Sequence, residues 1–238
     1  MKFPSVVPAA MLAWLLSGAC ALAEEAPEPT ADQIVQLVHL SRALTKHDLN
    51  GELRKGDIRA ALNVKLEERL IRFRFENPAQ IIQLDLGDKS YRLTEKLAGS
   101  NAPVPDRQYT QGIRGTDLTY EDISFRYLYW PNPVKLDPER VSTRKCFKIQ
   151  LNNPNPKLGA YEAVLIWVDQ ESGGLLKMEG YRLDRSRKDP WILLKRCKVT
   201  EGMKVDDATV LKEMSIESFD PATGRGQGKT FLEMQKPG

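Results

Sequence analysis

Three carboxylates, Asp117, Glu121 and Asp122, fall within the run Gly115-Thr116-Asp117-Leu118-Thr119-Tyr120-Glu121-Asp122. Acidic side chains this close could gather on a calcium ion, which takes hard oxygen ligands. The same run can also open a short helix. Thr116 or Asp117 would cap it, Glu121 and Asp122 would sit in the first turn where negative charge is favoured, and Gly115 would take a backbone angle closed to other residues. Capping is the expectation, with no metal and no cofactor. His39 and His47 have no Cys or carboxylate pair nearby at metal-ligand spacing, and read as solvated or half-buried residues on or just beyond a first helix. No G-x-S-x-G elbow is present. Gly224-Arg225-Gly226-Gln227-Gly228 imitates part of a phosphate loop, yet it lies between two strands with no helix after it, so its glycines are assigned to a hairpin. No catalytic residue, and no enzyme, is expected. Basic residues gather at Arg182, Arg185, Arg187 and Lys188, with Lys195, Arg196 and Lys198 on the next strand. Such a hairpin could touch anionic lipid head groups or an acidic partner, or simply be kept soluble by its charge.

Whatever these groups do, they work in an exported chain. Lys2 supplies a positive start, residues 6–16 are apolar, and Ala21-Leu22-Ala23 places small residues where signal peptidase needs them. The expected organisation is a signal peptide at 1–23, a Pro-rich linker at 24–29 and a single domain at 30–238. Lipidation at Cys20 is the rival, but a lipobox wants Leu where this chain has Ser17. Lys and Arg number 35 against 32 Asp and Glu, spread evenly, so nucleic-acid binding has no compositional support. Export makes a disulfide between Cys146 and Cys197 the first expectation. Strand parity puts the two on opposite faces and about three strand spacings apart, which argues for two free thiols, and the sequence leaves that choice open.

The elements that must position these residues follow from apolar periodicity. Thr30 and Asp32 can cap an amphipathic helix carrying Ile34, Leu37, Val38, Leu40, Ala43 and Leu44 at helical spacing. From Gly51 onward the period is two, with turns at Asn77-Pro78, Gly87-Asp88, Ser172-Gly173-Gly174 and Lys188-Asp189-Pro190. Residues 161–169 are apolar on both faces, as in a central strand covered twice. About ten strands and one clear helix give an α+β class with a large, strongly curved antiparallel sheet. Phe73, Phe75, Leu84, Leu86, Phe147, Ile149, Val164, Ile166, Val168 and Met178 share parity within their own strands, and are assigned to the face under the helix.

The string from Ile113 to Asp122, followed by Phe125-Arg126-Tyr127-Leu128-Tyr129-Trp130, resembles the hallmark of LolA-like outer-membrane lipoprotein-sorting proteins. It is closest to the branch with the Gly-Thr-Asp-x-x-Tyr-Glu-Asp motif. Phe75-Glu76-Asn77-Pro78, Tyr161, Trp167-Val168-Asp169, Gly180-Tyr181 and Lys229-Thr230-Phe231-Leu232-Glu233-Met234 match as well. The resemblance implies an unclosed β-barrel with helices across its concave face and an apolar cavity between them. It carries over Gly115, Thr116, Asp117, Tyr120, Glu121 and Asp122 as motif residues, without a separate role for each. The expected function is a periplasmic, monomeric, non-enzymatic carrier binding lipid or lipoprotein acyl chains in that cavity, lined by the ten residues above. The alternative is an envelope sensor or scaffold that binds another protein with the same fold. One outcome follows directly from the cleavage site: mass spectrometry of the exported protein should find Glu24 at its amino terminus, whereas a diacylated Cys20 would refute the free form.

Overall fold

Alternating side chains build thirteen antiparallel strands. In this computed structural model residues 28–43, 46–97, 99–206 and 208–235 are described. The expected leader at 1–23, Cys20 with it, and most of the linker lie outside them. The first six strands are β1 (Lys46–Lys55), β2 (Ile58–Glu67), β3 (Leu70–Phe75), β4 (Gln80–Leu86), β5 (Tyr91–Leu97) and β6 (Ser100–Pro103). The last seven are β7 (Val134–Val141), β8 (Arg144–Asn152), β9 (Ala163–Asp169), β10 (Leu175–Leu183), β11 (Trp191–Val205), β12 (Ala208–Phe219) and β13 (Gly226–Gln235). Each half is a meander, and the halves join where β1 pairs with β13, so β6 and β7 are the two unpaired edges of one unclosed sheet. Alternation alone predicts about ten strands. β6 and β7 escape it because each contains a proline, tolerated only where a strand's N–H has no neighbour to bond.

Helix α1 (Ala31–Ala43) starts where expected. The Thr30 hydroxyl accepts from the Gln33 N–H at 3.3 Å while the Gln33 side chain accepts from the Thr30 N–H at 2.8 Å. Its buried stripe is narrower than predicted: Ile34, Val35 and Val38 enter the core, whereas Leu37 and Leu40 are exposed.

From β6 the chain crosses one face of the sheet to reach β7 at the opposite edge. This strap, residues 104–133, holds 3₁₀ turns at Asp106–Gln108, Ile113–Gly115 and Arg126–Tyr129 and the short helix α2 (Tyr120–Ser124). Val104, Tyr109, Ile113, Leu118, Ile123, Tyr127 and Leu128 of the strap form one core with α1 and the inner face of the sheet. On the other face a small cluster of Val141, Cys146 and Trp167 is covered by long side chains of the same sheet. The Lys177 ammonium lies 3.8 Å from the Trp167 ring centre and the Trp167 N–H donates to Glu139 at 3.2 Å. So β9 is indeed buried on both faces, but it is third from an edge rather than central.

Cys146 belongs to this outer cluster and Cys197 to the inner core, and both are free thiols. The register between β10 and β11 shifts after Gly180, giving β11 an extra residue at Leu194. That bulge corrects the expected basic patch. Lys195, opposite Gly180, turns inward and is buried, while Arg196 pairs with Glu179 at 2.7 Å on the outer face. At Gly180 an added Cβ would come closer than 3.0 Å to three atoms of the Tyr161 ring, which is fully buried. Gly180→Ala should therefore lower stability by about 1–3 kcal/mol through overpacking, read as a drop in the urea midpoint at unchanged m-value.

Candidate functional site: the buried polar strap

A segment crossing an apolar sheet must satisfy its own polar groups, and the motif residues do this at the centre of the strap. Thr116, Asp117, Tyr120, Glu121 and Asp122 are all buried. The cap of α2 is Thr119, not Thr116 or Asp117 as expected: its hydroxyl accepts from the Asp122 N–H at 3.2 Å, and its own N–H donates back to Asp122 at 2.8 Å. The helix therefore begins two residues later than an Asp117 cap would place it. Gly115 does take a left-handed backbone angle, φ 70°.

Freed from capping, Asp117 ties the strap to the seam of the sheet. Its carboxylate accepts from Lys55 of β1 at 2.8 Å and from the Thr230 hydroxyl of β13 at 2.9 Å. Its backbone N–H donates to that same hydroxyl at 2.9 Å, and its carbonyl accepts from Lys195 of β11. Gly228 permits the approach, since an added Cβ there would meet both Asp117 oxygens at 2.8 and 2.9 Å. This glycine, assigned to a hairpin from sequence, is instead a contact point within β13.

Glu121 faces the loop before β9, and Asp122 lies between Tyr161 and Lys195, whose ammonium is 3.9 Å away. The Arg126 guanidinium donates to Glu121 at 2.6 Å and to the Leu158 carbonyl, and the Ala160 N–H donates to the second Glu121 oxygen at 2.7 Å. Arg126 also lies over the Tyr109 ring, 5.2 Å from its centre. Burial pushes the Glu121 carboxyl above its usual range, opposed by Arg126. Asp122 accepts from the Tyr161 hydroxyl at 2.6 Å, and burial raises that phenol well above its ordinary value. Tyr120 reaches β5, donating to Glu95 at 2.6 Å, and burial with that hydrogen bond pushes its phenol up to about 12. Gln80 donates to the Tyr120 hydroxyl at 3.0 Å.

All three carboxylates are thus consumed by internal partners. Among the described residues no group of three or more His, Cys, Asp or Glu could hold a metal ion. His39 is half-buried, its ring 4.8 Å from that of Tyr129 and its Nε2 3.4 Å from the Leu128 carbonyl; His47 lies at the start of β1. Lys55, Arg126, Lys195 and Thr230 complete the network and were not picked out as site residues. Lys195 shares its parity with Cys197, so alternation places both on one face, and only its charge argues for the surface.

The ten residues assigned to the inner face lie together. Nine are buried in the main core and Phe147 packs half-buried against it. Two surface clefts border the sheet, one of ≈ 440 Å³ lined by Lys46, His47 and Leu66 among others, the other of ≈ 450 Å³ lined by Phe75, Pro78, Ile81 and Leu97 among others. Of the ten, Phe75 borders the second.

No curated protein matches the chain. A family model described as "Uncharacterized protein" matches residues 102–237, more than half of the sequence. The chain belongs to that family. The match takes in the whole strap, every motif residue and β7 to β13. Three solved structures share the fold. A DUF1329 family protein from Desulfovibrio piger has a TM-score of 0.62 at 15% identity, covering 86% of this chain and 91% of that one. An outer membrane lipoprotein-sorting protein domain, so described provisionally, from Vibrio parahaemolyticus gives 0.65 at 16%, covering 87% and 92%. A LolA superfamily protein from Nitrosomonas europaea gives 0.59 at 15%, covering 88% and 93%. The architecture is that of a LolA-like open barrel.

Because Asp117 holds the strap to β1 and β13 rather than capping a helix, Asp117→Ala should lower stability by about 2–3 kcal/mol, more than the ~1 kcal/mol of a lost cap. Chemical denaturation measures this, and added calcium should leave the melting temperature of the wild type unmoved.

Proposed function

We propose that the protein is a non-enzymatic binding protein of the cell envelope, released to the periplasm by cleavage of residues 1–23, that takes up the acyl chain of a lipid or lipoprotein. The observation that carries this reading is the continuous apolar inner face of an unclosed sheet, covered by α1 and the strap. The likeness in fold to a lipoprotein-sorting domain and a LolA superfamily protein supports it. So does the commitment of Asp117, Glu121 and Asp122 to internal partners, which leaves the motif no carboxylate for acid–base work. The inner face is packed here, so an acyl chain enters only if part of the cover moves.

The helix α1 is the part with least to lose. Beside the His39 contacts with Tyr129 and Leu128, three buried side chains, Ile34, Val35 and Val38, hold it to the core, worth roughly 5–9 kcal/mol in all at 1.5–3 kcal/mol each. An acyl chain of about sixteen carbons gains on the order of 12 kcal/mol at ~0.8 kcal/mol per methylene, enough to offset lifting the helix. By contrast the strap is fastened by its buried polar network. Concave-side helices over a lipid site, with Phe73, Phe75, Leu84, Leu86, Phe147, Ile149, Val164, Ile166, Val168 and Met178 as its lining, fit this scheme.

The packed interior favours a second reading, an envelope scaffold that binds another protein while its own side chains fill the fold. Uptake of a fluorescent fatty acid separates the two. In the carrier, wild type takes up the probe saturably, and Phe147→Glu lowers uptake at least tenfold with unchanged circular dichroism, since Phe147 is half-buried beside Lys135 near the start of α1. Leu84→Glu, at a fully buried position, unfolds the domain in either case. No uptake by the wild type would replace the carrier with the scaffold.

A further inference from the structure

The basic hairpin between β10 and β11 plays no part in the network or in the inner face. Its tip, residues 184–190, stands beside the β12–β13 tip, residues 220–225, to which Arg187 donates through the Ala222 carbonyl at 3.5 Å. Together they carry Arg185, Arg187, Lys188 and Arg225 against Asp184, Asp189 and Asp220, with Arg182 close by at the end of β10.

The two signs are used differently. Each acid folds its own loop: Asp184 accepts from the Ser186 N–H at 3.1 Å, Asp189 from the Trp191 N–H at 3.2 Å, and Asp220 from the Ala222 and Thr223 N–H groups at 2.7 and 3.2 Å. Among the cations Arg187 pairs with Asp184 at 3.0 Å. Arg182, Arg185, Lys188 and Arg225 are exposed and make no ion pair among the described residues. On the outer face of the sheet Arg54, Arg144, Lys148, Arg196 and Lys229 have carboxylate partners, while Arg74, Arg92 and Lys145 are single exposed cations on separate strands rather than a cluster.

Beside the unpaired cations stands an exposed indole. Trp191 opens β11 immediately after the tip, is 38% exposed, and is held edge-on against Tyr181 with ring centres 5.6 Å apart. Tyr181 is itself fixed by donating to Glu179 at 2.6 Å. A rigid, half-exposed indole next to free guanidinium and ammonium groups matches the layered chemistry of a bilayer surface, where Trp settles at head-group level and cations meet lipid phosphates.

We propose that this end of the sheet, the tips 184–190 and 220–225 with Trp191, docks on an anionic phospholipid surface. The inference stands apart from acyl-chain uptake: docking without uptake would keep it and remove the carrier.

The test is co-sedimentation of the purified protein with vesicles of phosphatidylglycerol and phosphatidylethanolamine, in parallel with vesicles of phosphatidylcholine alone. Docking predicts binding to the anionic vesicles only, weakened by high salt, with tryptophan emission moving to shorter wavelength. That shift should vanish in Trp191→Phe. Each cation near such a surface contributes enough that Arg185→Gln with Lys188→Gln should weaken binding on the order of tenfold or more. Lys46→Gln with Lys65→Gln removes the same charge at the far end of the sheet and should bind as wild type does. Equal binding to both kinds of vesicle, or equal loss from the two double variants, would overturn the proposal. So would tighter binding to an acidic peptide than to anionic vesicles, which would point to a protein partner.

Discussion

A polypeptide that crosses the apolar face of a sheet carries its peptide groups and charges away from water, and each must find a partner there. The strap answers that constraint almost throughout, leaving among the described residues only the buried Nε atoms of Arg114 and Arg126 without a hydrogen-bond partner. The strap cannot avoid the crossing, because the strands before and after it occupy opposite edges of one sheet. It cannot cross as a regular strand either, since the inner face offers it no edge. It therefore proceeds by single turns, and its leftover groups bond to side chains sent up from β1, β5, β11 and β13 and to the backbone of the loop before β9.

Buried ion pairs of this kind add little net stability, because desolvation takes back most of what Coulomb attraction gives. What they supply is position. Asp117 accepts from residues on both strands of the central seam, and Lys195 reaches its carbonyl from a third. A slip of one residue in any of these strands would turn its contributor to the other face and leave a charge stranded in the core. The motif thus acts as a gauge of register across the sheet. Helix α1 is joined differently: Ile34, Val35 and Val38 enter the core by apolar contact, and His39 lies against Leu128 and Tyr129.

Much of the architecture was legible because alternation is a strong signal wherever one face is buried. The meander from Ile71 to Thr94, the strands from Phe147 to Val199 and the capped first helix all carry it. It failed at Pro138, where an edge strand contradicts local propensity, and at Leu194, an extra residue in β11 that alternation does not reveal, while Cys146 and Cys197 do lie on opposite faces as their parity implies. The acidic motif was visible as a cluster but not as a network. Its partners lie up to 113 residues away, and nothing in the spacing of Asp117, Glu121 and Asp122 tells which cation or hydroxyl each will meet. Leu37 and Leu40 taught the reverse lesson: their helical spacing was right, yet the helix buries Ile34, Val35 and Val38 and leaves both of them exposed.

The pairing of β1 with β13 places the two extremities of the domain side by side in the middle of the sheet rather than at its margin. Either meander can form from contacts between neighbours in the chain, yet the seam between them must wait for the last segment to arrive. Until then both halves expose a long unpaired border, open to pairing with another chain. Truncating the domain by its final strand would accordingly split it, opening two raw borders at its centre, where removing β6 would only trim its outer margin.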